Sequence, residues 1–438
     1  MAGGTYTTQN KIRPGVYINF VSEGKLPGTL GERGTASLAL NLDWGAPKKM
    51  LTITAGDNTL QTLGYDYTSP QMLLIREALK RAQKLLVYRL NDGTPASVKV
   101  EPLTATAKYS GTRGNQLTIV VEANINNEKQ FDVTTLLEGT VIDKQTVSAV
   151  EQLVSNTYVV FSGKGTPVPT AGAPLAGGTS ALATNADHTA YLEQLEALEF
   201  QTVGLVSDDA SLKSVYAAYI KRLRSNEGKK VQAVVANYPN ADHEGVISVK
   251  NGVVLSDGTV LDAKQSVAWV TGATAGAAVN ASLTYSAYDD AVDVNGKLTH
   301  TETESALRKG EFIFTASSDR AVVEQDINTF VSYTPDKARH FAKNRVVRVL
   351  DSIANDLKRI FESYFIGKVN NNTDGRSLFR SQCVAYLTDL QNIGAVQNFD
   401  AQADISVTAG NEVDSIVVEV NVQPVDSVEK VYMKVKVV

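Results

Sequence analysis

The sequence predicts a multidomain protein that combines α/β with β architecture. Two observations carry that reading. Short apolar runs of strand length alternate with helix-patterned stretches over residues 36–95 and again over 187–320, the pattern of a largely parallel sheet. Between them, residues 96–165 lose the helical period and read as β-structure broken by turn signals, a small domain inserted after the first α/β unit. A chain of 438 residues has room for about three domains at roughly 150 residues each.

Residues 1–35 are an extended N-terminal arm. Val16, Ile18 and Phe20 alternate with Tyr17 and Asn19 between the breaks Pro14-Gly15 and Pro27-Gly28, a strand pattern with no hairpin partner close by in sequence. In 36–95, Ser69-Pro70 starts a helix, with serine as N-cap and proline at the first helical position. Leu73, Leu74, Ala78 and Ala82 keep helical spacing, and Leu85 to Tyr88 follow as a buried strand. VKVEPLTATAKYSG and NQLTIVVEAN supply the β-domain. Residues 166–186 have linker composition, charge-free and rich in Gly, Pro, Ala and Thr. The central domain, 187–320, resumes with the helix YLEQLEALEF, the strand TVGLVS, a helix ending at Gly228 and the strand VQAVVAN. The last domain, 321–438, is α then β. Thr334-Pro335 opens a long helix to about Gly367, and a second runs from about Gly375 to Asn392 with Phe379, Cys383, Leu387 and Leu390 on one face. Two strand patterns, SIVVEVNV and VYMKVKVV, close the chain.

Composition excludes several classes. A net charge of -5 gives no global reason for nucleic-acid binding. The single cysteine, Cys383, excludes a disulfide framework. The N-terminus lacks the basic-then-apolar order of a signal peptide, and the least polar stretch, 268–283, is mostly Gly, Ala, Thr, Ser and Asn, unlike a lipid-facing helix. Direct membrane insertion is therefore not expected, and folding in the cytoplasm is.

Enzymatic chemistry is equally poorly served. A serine-protease triad would draw on His188, His243, His300 and His340, but Ser180, in GGTSA, precedes them all and falls in the linker. SGKGTP at 162–167 lacks the spacing of a phosphate loop, and Gly272 to Gly276 has no following Lys and suits close backbone packing. SAYDDAVDV at 286–294 lacks the Gly and closing Glu of a calcium loop. No cofactor or metal is expected; the rival readings are a degenerate α/β hydrolase-like enzyme and a surface adhesin or capsid-like module.

Two features point to assembly. At about 100° per residue, Lys337, Arg345, Arg348 and Arg359 fall on the face of the long helix opposite Val346, Val349, Leu350, Ile353, Leu357, Ile360 and Tyr364. This is either a solvated face or a basic stripe docked on an acidic partner. At the end of the chain, Val431, Met433, Val435 and Val437 alternate with Tyr432, Lys434 and Lys436. That strand either closes a local hairpin with SIVVEVNV or adds to a sheet in another copy, as the arm bearing Val16, Ile18 and Phe20 would.

Several segments, in order, resemble tail sheath proteins of contractile-tailed phages and R-type bacteriocins: RPGVYINF, TAKYSGTRGNQLTIVV, WVTGATAGAAVNASLTY, and EQDINTFVSYTPDKARHFAKNRVVRVLDSI followed by NNTDGRSLFRSQCVAYLTDLQNIGAVQNF. The resemblance spans nearly the whole chain. It implies a central domain of subtilisin-like topology without a triad, an α+β C-terminal domain, and extended terminal arms that link subunits. It implies no catalysis and a homo-oligomer of hexameric rings stacked helically around a tail tube protein. Baseplate and tail terminator proteins are further implied partners, and contraction drives the tube through the target envelope. The implied location is a virion tail or bacteriocin particle assembled in the host bacterial cytoplasm. It also raises the docked reading of the basic stripe, with Lys337, Arg345, Arg348 and Arg359 facing the tube.

Overall fold

The computed structural model describes residues 30–437, together with the backbone of residues 2–4 and 15–17. The chain divides into two compact units. The larger comprises Glu32–Ser352 and Val425–Val438, the smaller Met1–Gly31 and Ile353–Pro424.

The larger unit is built on β1 (Thr35–Leu40), β2 (Met50–Ile53), α1 (Leu73–Leu79), β3 (Lys84–Arg89), α2 (Asn185–Glu196), β4 (Thr202–Gly204), α3 (Ala210–Ser225), β5 (Gln232–Ala236), β6 (Val246–Val249), α4 (Ala263–Gly276), α5 (His300–Arg308) and β7 (Glu311–Phe312). The seven strands form one sheet in the order β7-β6-β5-β4-β1-β3-β2. Only β2 runs antiparallel to its neighbour. Both faces are covered, which is why these strands read as continuous apolar runs. Successive residues point to opposite faces: Ala39, Tyr88, Val203, Ala233 and Val235 pack with α2 and α3, whereas Leu38, Leu40, Leu85 and Val87 pack with α1 and α4. Short polar side chains start the helices. Asp209 accepts a hydrogen bond from Leu212 N (2.9 Å), and Asp262 with Gln265 closes a capping box on α4. Helix α4 lies unusually close to α1. A Cβ at Gly272 would stand 2.0 Å from Ala78 O, and one at Gly276 would stand 1.9 Å from Arg81 O, so these glycines serve close backbone packing, as the sequence suggested.

Between β3 and α2 the chain builds two facing sheets. One has the order Thr140–Val147, Phe131–Leu137, Leu117–Ala123, Thr170–Pro174; the other has the order Val159–Gly163, Leu103–Ala107, Ser97–Val100. Leu103, Ala105, Leu117, Ile119, Val121 and Val133 alternate inward to fill the space between them, and Trp44 joins this core. The chain enters and leaves through a short pair, Gly93–Thr94 with Thr179–Ser180. Part of the stretch read as a tether is therefore structured: Thr170–Pro174 is a sheet edge and Leu175 is buried. An edge strand tolerates proline because one side of its backbone needs no partner, so its composition imitates a linker.

The long C-terminal helix, α6, spans Asn344–Tyr364, not from Thr334 as the sequence suggested. Thr334 and Lys337 instead close a turn, Thr334 N donating to Lys337 O (3.0 Å) and Lys337 N to Thr334 Oγ1 (3.1 Å). Helix α7, Thr373–Asn392, buries Phe379, Cys383, Tyr386, Leu387 and Leu390, the face its periodicity gave. Within the smaller unit Phe379 packs edge to face on Phe361 and Phe365 at 5.2 and 4.8 Å. Ile405–Ala409 and Ile416–Val420 form an antiparallel hairpin. Its partner for the second strand is thus the preceding segment and not VYMKVKVV.

Candidate functional site

The carboxyl ends of the parallel strands are where a doubly wound sheet places a ligand, at the point where strand order reverses. Here that point lies between β1 and β4. A cavity of about 420 Å³ opens there, lined by Leu40, Asn41, His188, Ser207 and Asp209 among others. Its polar groups hold the fold together. His188 Nδ1 is 2.9 Å from Tyr216 Oη, and burial lowers the pKa of the imidazole. Asp209 caps α3. The other three histidines are elsewhere: His243 Nδ1 accepts from Gly245 N (2.9 Å), His300 is exposed beside Glu304 (3.3 Å), and His340 stacks on Phe341 (4.8 Å). Ser180 Oγ donates to Asp43 Oδ1 (3.1 Å). Burial pushes the Cys383 thiol up to about 12, far from thiolate reactivity. Among the described residues no cluster of His, Cys, Asp and Glu has the makings of a metal site.

The four basic residues do not form one stripe. Lys337 lies in the turn before α6 and donates to Glu244 Oε1 (3.0 Å). Arg345 sits half-buried in the first turn of α6, and Arg359 pairs with Asp356 (3.3 Å) one turn back. Arg348 corrects the expectation outright. It is completely buried, 3.4 Å from Asp326 Oδ2, and its Nη1 donates to Ala281 O. Helix α6 is packed at this level, with Val346, Val347 and Val349 also buried, so the wheel's polar face meets protein at Arg348 and not solvent.

Sequence periodicity missed two acidic residues that hold buried arginines. Asp326 accepts from Leu283 N (3.0 Å), Asn344 Nδ2 (2.9 Å) and Arg348, tying three segments together. Asp351 forms a bidentate pair with Arg224 at 2.6 and 2.7 Å. Neither carried a local signal, because their partners lie 22 and 127 positions away in sequence.

At the N-terminus, Gly15–Tyr17 pairs in parallel with Ala2–Gly4, Val16 opposite Gly3. The arm therefore has a short parallel partner in the first residues of the chain, and this pairing is not a hairpin. Ile18 and Phe20, the other arm positions named above, lie outside the described residues. At the other end, residues 425–437 carry no strand. Val431, Met433, Val435 and Val437 are 76–97 % exposed. No helix among the described residues is long and apolar enough to cross a membrane.

A doubly wound domain, an inserted β-sandwich, an α+β C-terminal portion and a strand-patterned tail with no strand partner among the described residues are the build of a structural protein. Family comparison gives the same class. Residues 33–90 match the N-terminal region of domain III of the tail sheath protein Gp18, and residues 91–184 match the phage tail sheath beta-sandwich domain. Residues 181–329 match the phage tail sheath central domain, and residues 336–438 match its C-terminal domain. Phage-like element PBSX protein XkdK of Bacillus subtilis is 39% identical across 100% of both chains. The crystal structure of a sheath tail protein from Desulfitobacterium hafniense is 53% identical, covers 97% of this chain and 100% of its own, and superposes with a TM-score of 0.88. The helical sheath of the anti-feeding prophage in its contracted state shares the fold alone, at 13% identity and a TM-score of 0.57 over 97% and 98% of the two chains. The chain belongs to the phage tail sheath protein family, whose members are structural subunits of contractile injection systems and not enzymes.

Proposed function

We propose that this chain polymerises as stacked hexameric rings around a tail tube, bound at its ends by baseplate and tail terminator proteins. Contraction of that lattice drives the tube through the envelope of a target cell. The particle is a phage tail or a headless bacteriocin, assembled in the bacterial cytoplasm, and its assembly involves no nucleic acid. The central α/β portion, 36–95 with 187–320, is proposed as a subtilisin-like scaffold kept for its shape. The β-domain hangs on it between 96 and 165, with 166–186 as the return. The arm 1–35 and the core 321–438 carry subunit linkage. Lys337, Arg345 and Arg359 are the proposed tube-facing cations.

One observation carries the reading most directly. The chain presents a strand-patterned tail whose valines and methionine stand in solvent. The hairpin of Ile405–Ala409 and Ile416–Val420 is a two-stranded sheet, leaving unpaired backbone on its outer edges. A strand from a second copy satisfies both. Backbone hydrogen bonds supply affinity and the alternation supplies register. The N-terminal arm is proposed to link copies in the same way through residues 14–21, exchanging its short local pairing for a longer one. Deleting residues 430–438 tests this. The expected product is a folded monomer that forms no cylinders by negative-stain electron microscopy. Full-length contractile sheaths from the truncated chain would overturn the reading.

A further inference from the structure

One point of the otherwise exposed tail is held fast. The Glu429 carboxylate is largely buried and accepts hydrogen bonds from Thr284 Oγ1 (2.9 Å), Gln325 Nε2 (2.6 Å) and Lys343 Nζ. The three donors come from separate parts of the larger unit: the stretch after α4, the segment following the strand Arg320–Val323, and the residue before α6. Thr284 Oγ1 in turn accepts from Asp326 N (2.9 Å), which joins the anchor to the buried Asp326–Arg348 pair. Burial alone would raise the pKa of this carboxyl, but the hydrogen bonds from Lys343, Gln325 and Thr284 hold it below the ordinary glutamate value. It is therefore charged at neutral pH. On either side of it the side chains of Val428 and Val431 are exposed. The nearest upstream backbone pairing is that of Pro424 with Val396.

We infer that Glu429 is a positioning residue that fastens the root of the C-terminal tail to the central domain and so fixes the point from which the tail reaches a second copy. The inference rests on the linking role proposed for the tail. Its physical content is a length. Release of Glu429 frees the chain back to Val425, five more residues, and lengthens the reach of the tail by about 17 Å at ~3.3 Å per residue. A short leash holds linked copies at one spacing, and a long one does not. The anchor is also built to hold: a charge-assisted bond from Lys343 is stronger than a neutral one, and three donors from three segments resist a pull from any one direction.

Trypsin cleavage of the unassembled protein reads the anchor. Cutting after Lys430 requires the chain on both sides to leave the surface, whereas Lys434 lies beyond the anchor and serves as an internal control. Glu429→Ala is expected to speed cleavage at Lys430 tenfold or more and leave Lys434 unchanged. Glu429→Gln, which keeps one acceptor oxygen for Thr284 or Gln325 but turns an NH2 donor toward the other and loses the ion pair, should fall between, as should Lys343→Met, which leaves the carboxylate with Thr284 and Gln325 alone. In assembled sheaths Glu429→Ala should broaden the distribution of ring-to-ring spacings measured by electron microscopy. Unchanged cleavage at Lys430, or sheaths with wild-type uniform spacing, would overturn the inference. Val435→Asp separates it from the linking role. It should block polymerisation while leaving Lys430 cleavage at the wild-type rate; normal sheaths from Val435→Asp would sink the linking role and not the anchor.

Discussion

Replacing Arg348 with methionine should destabilise the larger unit rather than loosen its hold on a partner. The guanidinium and the Asp326 carboxylate are 0% and 1% exposed at the side chain. Removing one member of a buried pair leaves the other charged, desolvated and uncompensated, at a cost of about 3–5 kcal/mol. Two neutral donors, Leu283 N and Asn344 Nδ2, remain on Asp326, which places the expected loss near the lower end, about 3 kcal/mol. Arg348→Glu would set two carboxylates together in the same enclosed space and should not fold. Both tryptophans, Trp44 and Trp269, are buried in the larger unit, so urea unfolding followed by tryptophan fluorescence reports on it directly. Adding Asp326→Asn to Arg348→Met should recover part of the loss, because it removes the stranded charge. An Arg348→Met variant that unfolds within about 1 kcal/mol of wild type while its assembled sheaths lose their tube would refute the structural role, since that outcome belongs to an exposed, tube-binding arginine.

Gly272→Ala should cost stability at or beyond the upper end of the usual range for overpacking, about 1–3 kcal/mol, because the Ala78 carbonyl it would meet at 2.0 Å is backbone. Gly56→Ala, where a Cβ meets nothing within 4 Å, should stay within about 0.5 kcal/mol of wild type in the same urea titration. Burial lowers the pKa of His243 to about 4, and its Nδ1 is the acceptor for Gly245 N–H. The unfolded chain therefore takes up a proton near pH 6.5 that the folded chain refuses. Stability should fall by about 2–3 kcal/mol as pH drops from about 6.5 to 4, and His243→Asn should flatten that part of the profile.

The elements that local pattern could reveal were legible. The face of α7 and the sandwich strand around Leu117–Val121 follow from periods of 3.6 and 2, and the buried strands β3, β4 and β5 from short continuous apolar runs, signals that need only neighbouring residues. What escaped depends on distant partners. Lys337 and Arg348 fell on one wheel because Pro335 was read as a helix start, when Thr334 to Lys337 make a turn. Arg345, Arg348, Asp351 and Ser352 do share one face of the wheel; what periodicity does not carry is that protein covers this face, with Asp326 pairing Arg348 and Arg224 pairing Asp351. Thr170–Pro174 looked like a tether because an edge strand without charges has the composition of one. Glu429 had no signal at all, since its three partners come from 86, 104 and 145 positions away.

The tail shows most clearly where a single chain stops specifying its own structure. Alternation at Val431, Met433, Val435 and Val437 fixes which side chains share a face, but it cannot fix a register, because register belongs to the pair. The intervening Lys434 and Lys436 restrict the choice. Lysines on an unpaired strand discourage indiscriminate edge pairing, so the acceptor must tolerate or attract positive charge. In the proposed pairing the hairpin strand Ile416–Val420 meets that need, with Glu419 exposed among Val417, Val418 and Val420. An opposite-charge pair across strands contributes about 0.2–1 kcal/mol, too little to drive association. The two registers that bring a lysine opposite Glu419 are nonetheless favoured over those that leave it facing a valine. Affinity would then come from backbone and apolar contact, register from one acidic residue, and reach from the anchor at Glu429. These three properties sit on different parts of the chain and meet only when a second copy is present.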